Sequence, residues 1–534
     1  MGVSMPLARL LALSLVFLCA ATTANAATFD LSTATIADIN AAIDAGALTS
    51  EKLVGLYLKR IEAYDKQGPK VNAVITLNKN ALAEARALDA ERKSKGRRSP
   101  LHGIPIVLKD LIDVAGMPTT AGFKPFGAPV PPRDAAIVTK LKAAGAIILA
   151  KVATVNWFGN GFDETHVIGP SLNPYSLAHQ PGGSSNGVGV SMAAWFAAAG
   201  IGTDTGGSVR GPSAYCSLAG MVATQGLVSR SGIVPRGATQ DRAGPMGRNV
   251  YDIATLLTYI EGWDAEDLMT TRGLNHFAQS NLAQELTAPN LKGRRIGVLR
   301  DMIPSGPQHA EGLALFNRAL DDMRKAGAQV IDPVPTGLSL RSLVTSAAGR
   351  TAEYEKLYVQ NAYLERLGPN RPYKTIQEMI QKVGAAKFDK AMIDALSLEP
   401  PAQSADYAAR VRNKEMVKQV IVDIVDKYQL DAVVYPYSTL PPPRWDASEG
   451  GAGGNSLASN SGLPSILMPT GYTSAGLPIA IEIVGKPFED TKLLQVAYGY
   501  EQTSKRRTPA PTTPALPGET FSYPSKPAPQ ALSN

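Results

Sequence analysis

Three times along the chain, a helical run of apolar residues gives way to a short run of buried-strand character. Ala135–Ala153, AAIVTKLKAAGAIILAKVA, reads as helix, glycine stop, then strand. Gly312–Asp332, GLALFNRALDDMRKAGAQVID, and Met416–Pro436, MVKQVIVDIVDKYQLDAVVYP, repeat the order. Apolar residues at helical spacing bury one face of a helix, whereas a continuous β-branched run must be covered on both sides. Their alternation predicts an α/β fold, with strands in a sheet and helices packed over it.

Other segments fit the same plan. TIADINAAIDAGALTSEKLVGLYLKRIEAYD predicts two helices broken near Gly46, the second restarting at Ser50 and Glu51. ALAEARALDAERK predicts a helix, and VNAVITLN, GIPIVLKD, RRIGVLRD, SILMPTGY and LPIAIEIVGK predict strands. GVGVSMAAWFAAAGIG (Gly187–Gly202) is apolar but too short to span a bilayer, and its small residues predict a helix packed tightly in the core. No repeat of 20–50 residues and no linker divides the chain. Its 534 residues suit one large domain or two to three smaller ones, and 44% hydrophobic with 19% charged residues excludes a disordered or fibrous class. Residues 508–534, rich in Pro, Ser and Thr, predict a tail or a strap over the surface.

The first 26 residues read as a leader rather than as part of the fold. Arg9 supplies the basic region, Leu10–Ala21 the apolar stretch, and Ala24-Asn25-Ala26 the cleavage site. This predicts a cleaved signal peptide over 1–26, an exported protein that is secreted or periplasmic, and no stable membrane anchor. Leu18 before Cys19 is not the small residue expected ahead of a lipidated cysteine. Cys216 is then the one remaining cysteine, so no internal disulfide is expected. Its apolar neighbours Ala214, Leu218 and Ala219 predict a buried small side chain rather than a catalytic thiol. The formal charge of +7 is scattered, apart from the solvated run ERKSKGRR (Glu91–Arg98). No basic stripe is interleaved with aromatics, which argues against a nucleic-acid partner.

Three stretches gather polar and small residues in apolar surroundings: Lys109 at the end of GIPIVLKD, PGGSSNG (Pro181–Gly187), and GTDTGGSVR (Gly202–Arg210). Glycine clusters commonly mark plain turns. Gly183–Gly187 fits G-x-S-x-G around Ser185, but no strand precedes it, as a nucleophile elbow requires. GIGTDTGG lacks the acidic residue that a dinucleotide site places about twenty positions on. The five histidines are too dispersed for a metal cluster. What is left is chemistry by serine and lysine. A lysine can serve as base if burial keeps its amine neutral, and a glycine-rich turn before Ser208 can aim several N–H groups at one oxygen. The residues permit this chemistry without requiring it.

The segment GGSSNGVGVSMAAWFAAAGIGTDTGGSVRGPSAYCSLAGM closely resembles the glycine- and serine-rich signature of the amidase signature family. PLHGIPIVLKDLIDVAGMPTTAG resembles that family's lysine segment, and SGLPSILMPTGYTSAGLPIAIEIVGKPFEDTKLLQVAYGYEQ its C-terminal segment. AGAIILAKVATVNWFGNG and GPSLNPYSLAHQPGG resemble the stretches between, so the likeness covers most of the mature chain. It implies a single α/β domain over 27–507 with a central mixed sheet covered by helices. It implies a Ser–cis-Ser–Lys triad of Ser208 as nucleophile, Ser184 as bridging serine after a cis peptide bond, and Lys109 as base. The backbone N–H groups of Thr205, Gly206, Gly207 and Ser208 would form the oxyanion hole, with Asp204 and Arg210 as supporting charges and Ser185 beside the triad. Asn186 stands where the family more often has glycine or serine. The implied activity is hydrolysis of a small-molecule amide through an acyl-enzyme, with no metal and no cofactor. Monomer and homodimer both stay open. The family's amidotransferase-subunit branch, which works in a complex with transfer RNA, is disfavoured by the leader, and a silent binding protein by the intact serines and lysine. Residues 351–403 are expected to shape the substrate pocket. Tyr354, Tyr358, Tyr363 and Tyr373 there leave two readings open, an aromatic or apolar acyl site and helix packing.

Overall fold

The computed structural model describes residues 26–347, 351–446 and 457–524. The segment 1–26 read as a leader lies outside the described residues apart from Ala26, as do residues 525–534.

Eleven strands form one sheet: β2 (Val74–Leu77), β3 (Pro105–Lys109), β4 (Ile147–Val152), β5 (Ala199–Asp204), β6 (Ala219–Val222), β7 (Arg242–Gly247), β8 (Arg295–Val298), β9 (Gln329–Ile331), β10 (Ala432–Pro436), β11 (Ser465–Tyr472) and β12 (Pro478–Val484). Their order is β2-β4-β3-β5-β7-β6-β11-β12-β10-β8-β9. Two parallel blocks, β4-β3-β5 and β10-β8-β9, flank an antiparallel middle, so the sheet is mixed. β3, β4, β5 and β10 are buried along their whole length, and helices cover both faces. The fold is therefore α/β, a single domain around one sheet.

The helix-to-strand alternation holds at all three places. Helix Ala136–Ala143 leads through Gly145 to β4, helix Ala310–Lys325 to β9, and helix Ala405–Lys427 to β10. The helices Ile36–Asp44 and Ser50–Tyr64 part at Gly46, and the second is capped by Thr49, whose side chain accepts the Lys52 N–H. The run Gly187–Gly202 departs from the single helix expected of it. A helix spans only Asn186–Ala193; Trp195 turns the chain in the left-handed region (φ 59°), and Ala199–Gly202 belong to β5. Small apolar residues suit a buried helix and a buried strand equally, so composition alone could not separate them. The Trp195 turn is seated on the buried Arg60 guanidinium, 4.0 Å from its ring, while Arg60 Nε donates to the Ala194 carbonyl.

Residues 508–524 run over the surface of the domain. Arg60 donates to the Thr513 carbonyl and pairs with Glu519 at 2.8 Å, both side chains buried. β13 (Thr520–Pro524) pairs antiparallel with β1 (Ala26–Asp30).

β3 and β5 are parallel neighbours, so their C-terminal ends open on the same edge of the sheet. Such edges, where strands hand over to loops, are where α/β sheets hold ligands. Lys109 ends β3 and Asp204 ends β5.

Candidate active site

The chain leaves β5 through Thr205–Val209 and enters the helix Arg210–Tyr215. The Asp204 carboxylate shapes that turn. It accepts the N–H groups of Gly207 (2.9 Å), Val209 (3.0 Å) and Arg210 (3.4 Å), and the Arg210 Nε at 3.2 Å. Arg210 in turn pairs with Glu482 of β12 at 2.9 Å and bonds Ser459 Oγ. Burial alone would raise the Asp204 pKa, but Arg210, Arg242 and the backbone N–H groups hold it down to about 2. Asp204 and Arg210 are thus a buried pair within a network, not a surface ion pair. Gly207 sits at φ 122°, where a side chain would be strained, and a Cβ there would come within 3.0 Å of Tyr437 Oη.

This arrangement corrects one expected donor. The Gly207 N–H is engaged by Asp204 and does not face an incoming oxygen. The N–H groups of Thr205, Gly206 and Ser208 have no acceptor among the described residues. The Thr205 side chain donates to Asp241 Oδ1 at 2.6 Å, which ties the turn to the loop before β7.

The second serine segment reaches the same place from below. The Gly183–Ser184 peptide bond is cis. The Ser185 N–H donates to the Ser208 carbonyl at 3.2 Å, laying this segment against the Thr205–Val209 turn. Gly187, the second residue of the following helix, lies so close to the chain just after β4 that a Cβ would meet Ala153 N at 2.2 Å. Ser185 itself points away from the cavity: its hydroxyl is fully buried and donates to the Thr203 carbonyl while accepting the Thr203 N–H, both at 3.2 Å.

Lys109 completes the group. It is fully buried, with Nζ 2.5 Å from Ser184 Oγ and 2.9 Å from Thr203 Oγ1. Among the described residues, no carboxylate lies within ion-pair distance of it. Burial holds its pKa well below the ordinary lysine value; Asp204 and Asp241 pull the other way, and Arg236 adds to the depression. A buried amine with hydroxyl partners and no paired anion is set up to be neutral.

Ser184 and Ser208 open into a cavity of about 290 Å³, lined also by Val155, Trp157, Gly183, Thr205, Gly206, Arg236 and Gln240. Ser184 is nearly buried and Ser208 is partly exposed. Trp157, Arg236 and Gln240 arrive on loops far from the glycine-rich stretches and carry no spacing signal. Gln240 reaches the Thr205 carbonyl at 3.4 Å. None of the four tyrosines lines this cavity. Tyr354 Oη bonds Asp406, Tyr363 Oη bonds the buried Asp113, and Tyr373 Oη bonds the Pro125 carbonyl, while Tyr358 is 75% exposed. Tyr358 and Tyr363 line a separate cavity of about 250 Å³ on the far side of the loop Pro235–Asp241. Of the two readings left open for these tyrosines, packing and polar contacts of their own account for Tyr354, Tyr363 and Tyr373.

Cys216 is buried in apolar surroundings, which push its thiol up in pKa and keep it from nucleophilic use. Among the described residues, no group of three or more His, Cys, Asp or Glu is arranged to hold a metal ion, and no helix is long and apolar enough to cross a membrane.

Comparison with known proteins gives concordant results. The family model described as Amidase matches residues 52–494. A probable amidase of Arabidopsis thaliana is 31% identical over 505 residues, covering 90% of this chain and 92% of the relative. A glutamyl-tRNA(Gln) amidotransferase subunit of Methanosarcina barkeri is 31% identical over 457 residues, covering 83% and 92%. The crystal structure of native peptide amidase from Stenotrophomonas maltophilia superposes with a TM-score of 0.79 at 32% identity, over 90% of this chain and 98% of that one.

Proposed function

The chain belongs to the amidase signature family and is an amide hydrolase, and we propose that it works through Ser208, Ser184 and Lys109. Ser208 Oγ attacks the carbonyl carbon of a carboxylic amide. Its proton passes to Ser184, whose own proton passes to the neutral Lys109 amine. The developing oxyanion takes hydrogen bonds from the free N–H groups of Thr205, Gly206 and Ser208. Lys109 and Ser184 then return the proton to the departing nitrogen, leaving an acyl-enzyme. A water, activated along the same path, releases the acid.

The observation that carries this reading is the Lys109 amine, fully buried, 2.5 Å from the Ser184 hydroxyl and without an ion-pair partner among the described residues. A lysine so placed in a protonated state would bury an unpaired charge, at a cost of several kcal/mol. As a neutral amine it can accept a proton. The Ser185 reading has no comparable support, since that hydroxyl is turned into β5.

The similarity to the Methanosarcina amidotransferase protein favours a second reading, in which the same serine acts on a glutamine amide within a complex. The leader over residues 1–26 disfavours it, and export with cleavage after Ala26 forms part of the proposal. One experiment reads both parts. Protein recovered from the exported fraction of an expressing host is treated with a fluorophosphonate, then analysed by intact mass and peptide mapping. The expected result is a chain beginning at Ala27 with a single adduct on Ser208. An adduct on Ser185 or Cys216 would overturn the mechanism, and retention of the leader inside the cell would overturn export.

A further inference from the structure

We propose that Arg236 is a specificity-determining residue that selects amide substrates carrying a carboxylate near the scissile bond. This deepens the catalytic reading above and rests on it.

Arg236 lies in the loop between β6 and β7 and lines the cavity into which Ser184 and Ser208 open. It is held there from three directions. Its guanidinium carbon sits 5.4 Å from the centre of the Trp157 ring, and Lys109 Nζ sits 5.2 Å from the centre of the same ring. Trp157 is fixed by donation from its Nε1 to the Pro235 carbonyl at 3.2 Å. The Arg236 and Gly237 N–H groups both donate to Asp241 Oδ2, at 2.6 and 3.0 Å, and Asp241 also accepts the Thr205 hydroxyl. The arginine backbone is therefore tied to the same carboxylate that steadies the oxyanion turn.

Lys109 and Arg236 share one aromatic ring at the wall of a cavity, and Lys109 must be neutral to act. The standing positive charge beside the reacting serines is then that of Arg236, since a guanidinium does not lose its proton. It pairs with Asp389 at 3.6 Å. Asp389 also caps the helix Lys390–Ala395 through its other oxygen, Oδ1, at 2.6 Å from the Met392 N–H. Stacking on Trp157 and the anchored backbone position the guanidinium at the cavity wall. A planar donor held in this way is suited to a substrate carboxylate. The rest of the lining agrees: Val155 and Trp157 supply a short apolar wall, and Gln240 a further polar group.

The carboxylate could stand on the acyl side, as in a dicarboxylic half-amide, or on the amine side, as in an N-acylglycine. The test uses both. Values of kcat/KM are measured for succinamate against butyramide, and for N-butyrylglycine against N-butyrylethylamine. Wild type, Arg236→Lys and Arg236→Leu are compared at low and high salt. In at least one pair the wild type is expected to favour the anionic member by ten-fold or more. Arg236→Leu should lower that ratio by roughly 10- to 150-fold, the range for one charge-assisted hydrogen bond, chiefly through KM. Arg236→Lys should restore part of it, and salt should erode the preference. An anionic-to-neutral ratio in the wild type at or below one for both pairs, or a ratio unmoved in Arg236→Leu, would overturn the proposal. Fluorophosphonate labelling of Ser208 in each variant separates this outcome from failure of the catalytic reading: labelling that persists without the selectivity shift refutes only the role of Arg236.

Discussion

Asp204→Asn tests how the turn that carries Ser208 is built. The substitution keeps size and shape and removes the charge. Gly207 and Arg210 Nη2 face Oδ1, while the Val209 and Arg210 N–H groups and Arg210 Nε face Oδ2. Whichever oxygen becomes NH₂, at least two donors lose their acceptor and meet another donor. Breaking a buried ion pair by neutralising one partner costs about 3–5 kcal/mol. Arg210 keeps Glu482 at 2.9 Å, which favours the lower end, about 3 kcal/mol. At roughly 2 °C per kcal/mol, as for a large domain, the melting temperature should fall by about 6 °C or somewhat less. Activity should fall further than stability suggests. Once Gly207 is released the neighbouring N–H groups lose their aim, and a misplaced oxyanion donor costs about 10²–10³ in kcat. The sign with pH is fixed as well. The Asp204 pKa is depressed from 3.8 to about 2, so its contribution is present at neutral pH and is lost as pH falls through 3.8 towards 2. The asparagine variant should lack that acid-side loss. The assay is differential scanning calorimetry between pH 2 and 7 beside steady-state kinetics on one amide. A variant that melts within 1 °C of wild type and keeps kcat within two-fold would refute this account of the turn.

Two further outcomes are expected. Ser185→Ala should cost about 1–2 kcal/mol through the lost contacts to Thr203, yet change kcat by less than ten-fold; an inactive but folded variant would make Ser185 the nucleophile. Asp252, buried in the first turn of the helix Val250–Ile260, has its pKa raised from 3.8 to about 6 by burial, against the lowering effect of the Ile36 N–H and Arg248. The folded state then holds a proton that the unfolded chain gives up, so this group's stabilisation is complete below about pH 4 and is lost as pH rises through 6. The wild type should therefore lose stability relative to Asp252→Asn across that interval, by at most about 1.4 kcal/mol per pH unit, and parallel melting profiles would contradict the burial effect.

Much of the fold was legible because burial and periodicity agree. β3, β4 and β10 are buried on both faces and read as continuous apolar runs, and each helix ahead of its strand has one apolar stripe. The run Gly187–Gly202 was not legible in this way, since alanine and glycine mark neither period and the break depends on Trp195 seating against Arg60, more than a hundred residues earlier. At the site, the apolar strand ending in Lys109 and the glycine-rich turn before Ser208 made those two residues candidates, whereas Ser184 was singled out by the resemblance to the amidase signature family. Thr203 was hidden as an ordinary strand residue. Trp157, Arg236, Gln240 and Asp241 were hidden because their meaning comes only from the loops that carry them to one cavity. The engagement of the Gly207 N–H by Asp204 is a matter of backbone direction, which glycine leaves open. The tyrosines of 351–403 stayed ambiguous because an aromatic at helical spacing gives no sign of which cavity, if any, it faces.

The central claim is that a neutral Lys109 draws the proton from Ser208 through Ser184. The most direct measurement is the second-order rate at which a fluorophosphonate modifies Ser208 as a function of pH, in the wild type and in Lys109→Arg. A lysine in water has a pKa of about 10.4, and the burial of Lys109 lowers it. The wild-type rate should rise from acid and level off at a pH below the ordinary lysine value, as the amine becomes neutral. Lys109→Arg, which keeps the charge but cannot give up its proton, should react about 10²–10⁴-fold more slowly, with no such rise. Circular dichroism confirms that the variant is folded. A folded Lys109→Arg enzyme that retains more than roughly a tenth of the wild-type rate, with the same pH profile, would contradict the claim, because the base would then lie elsewhere.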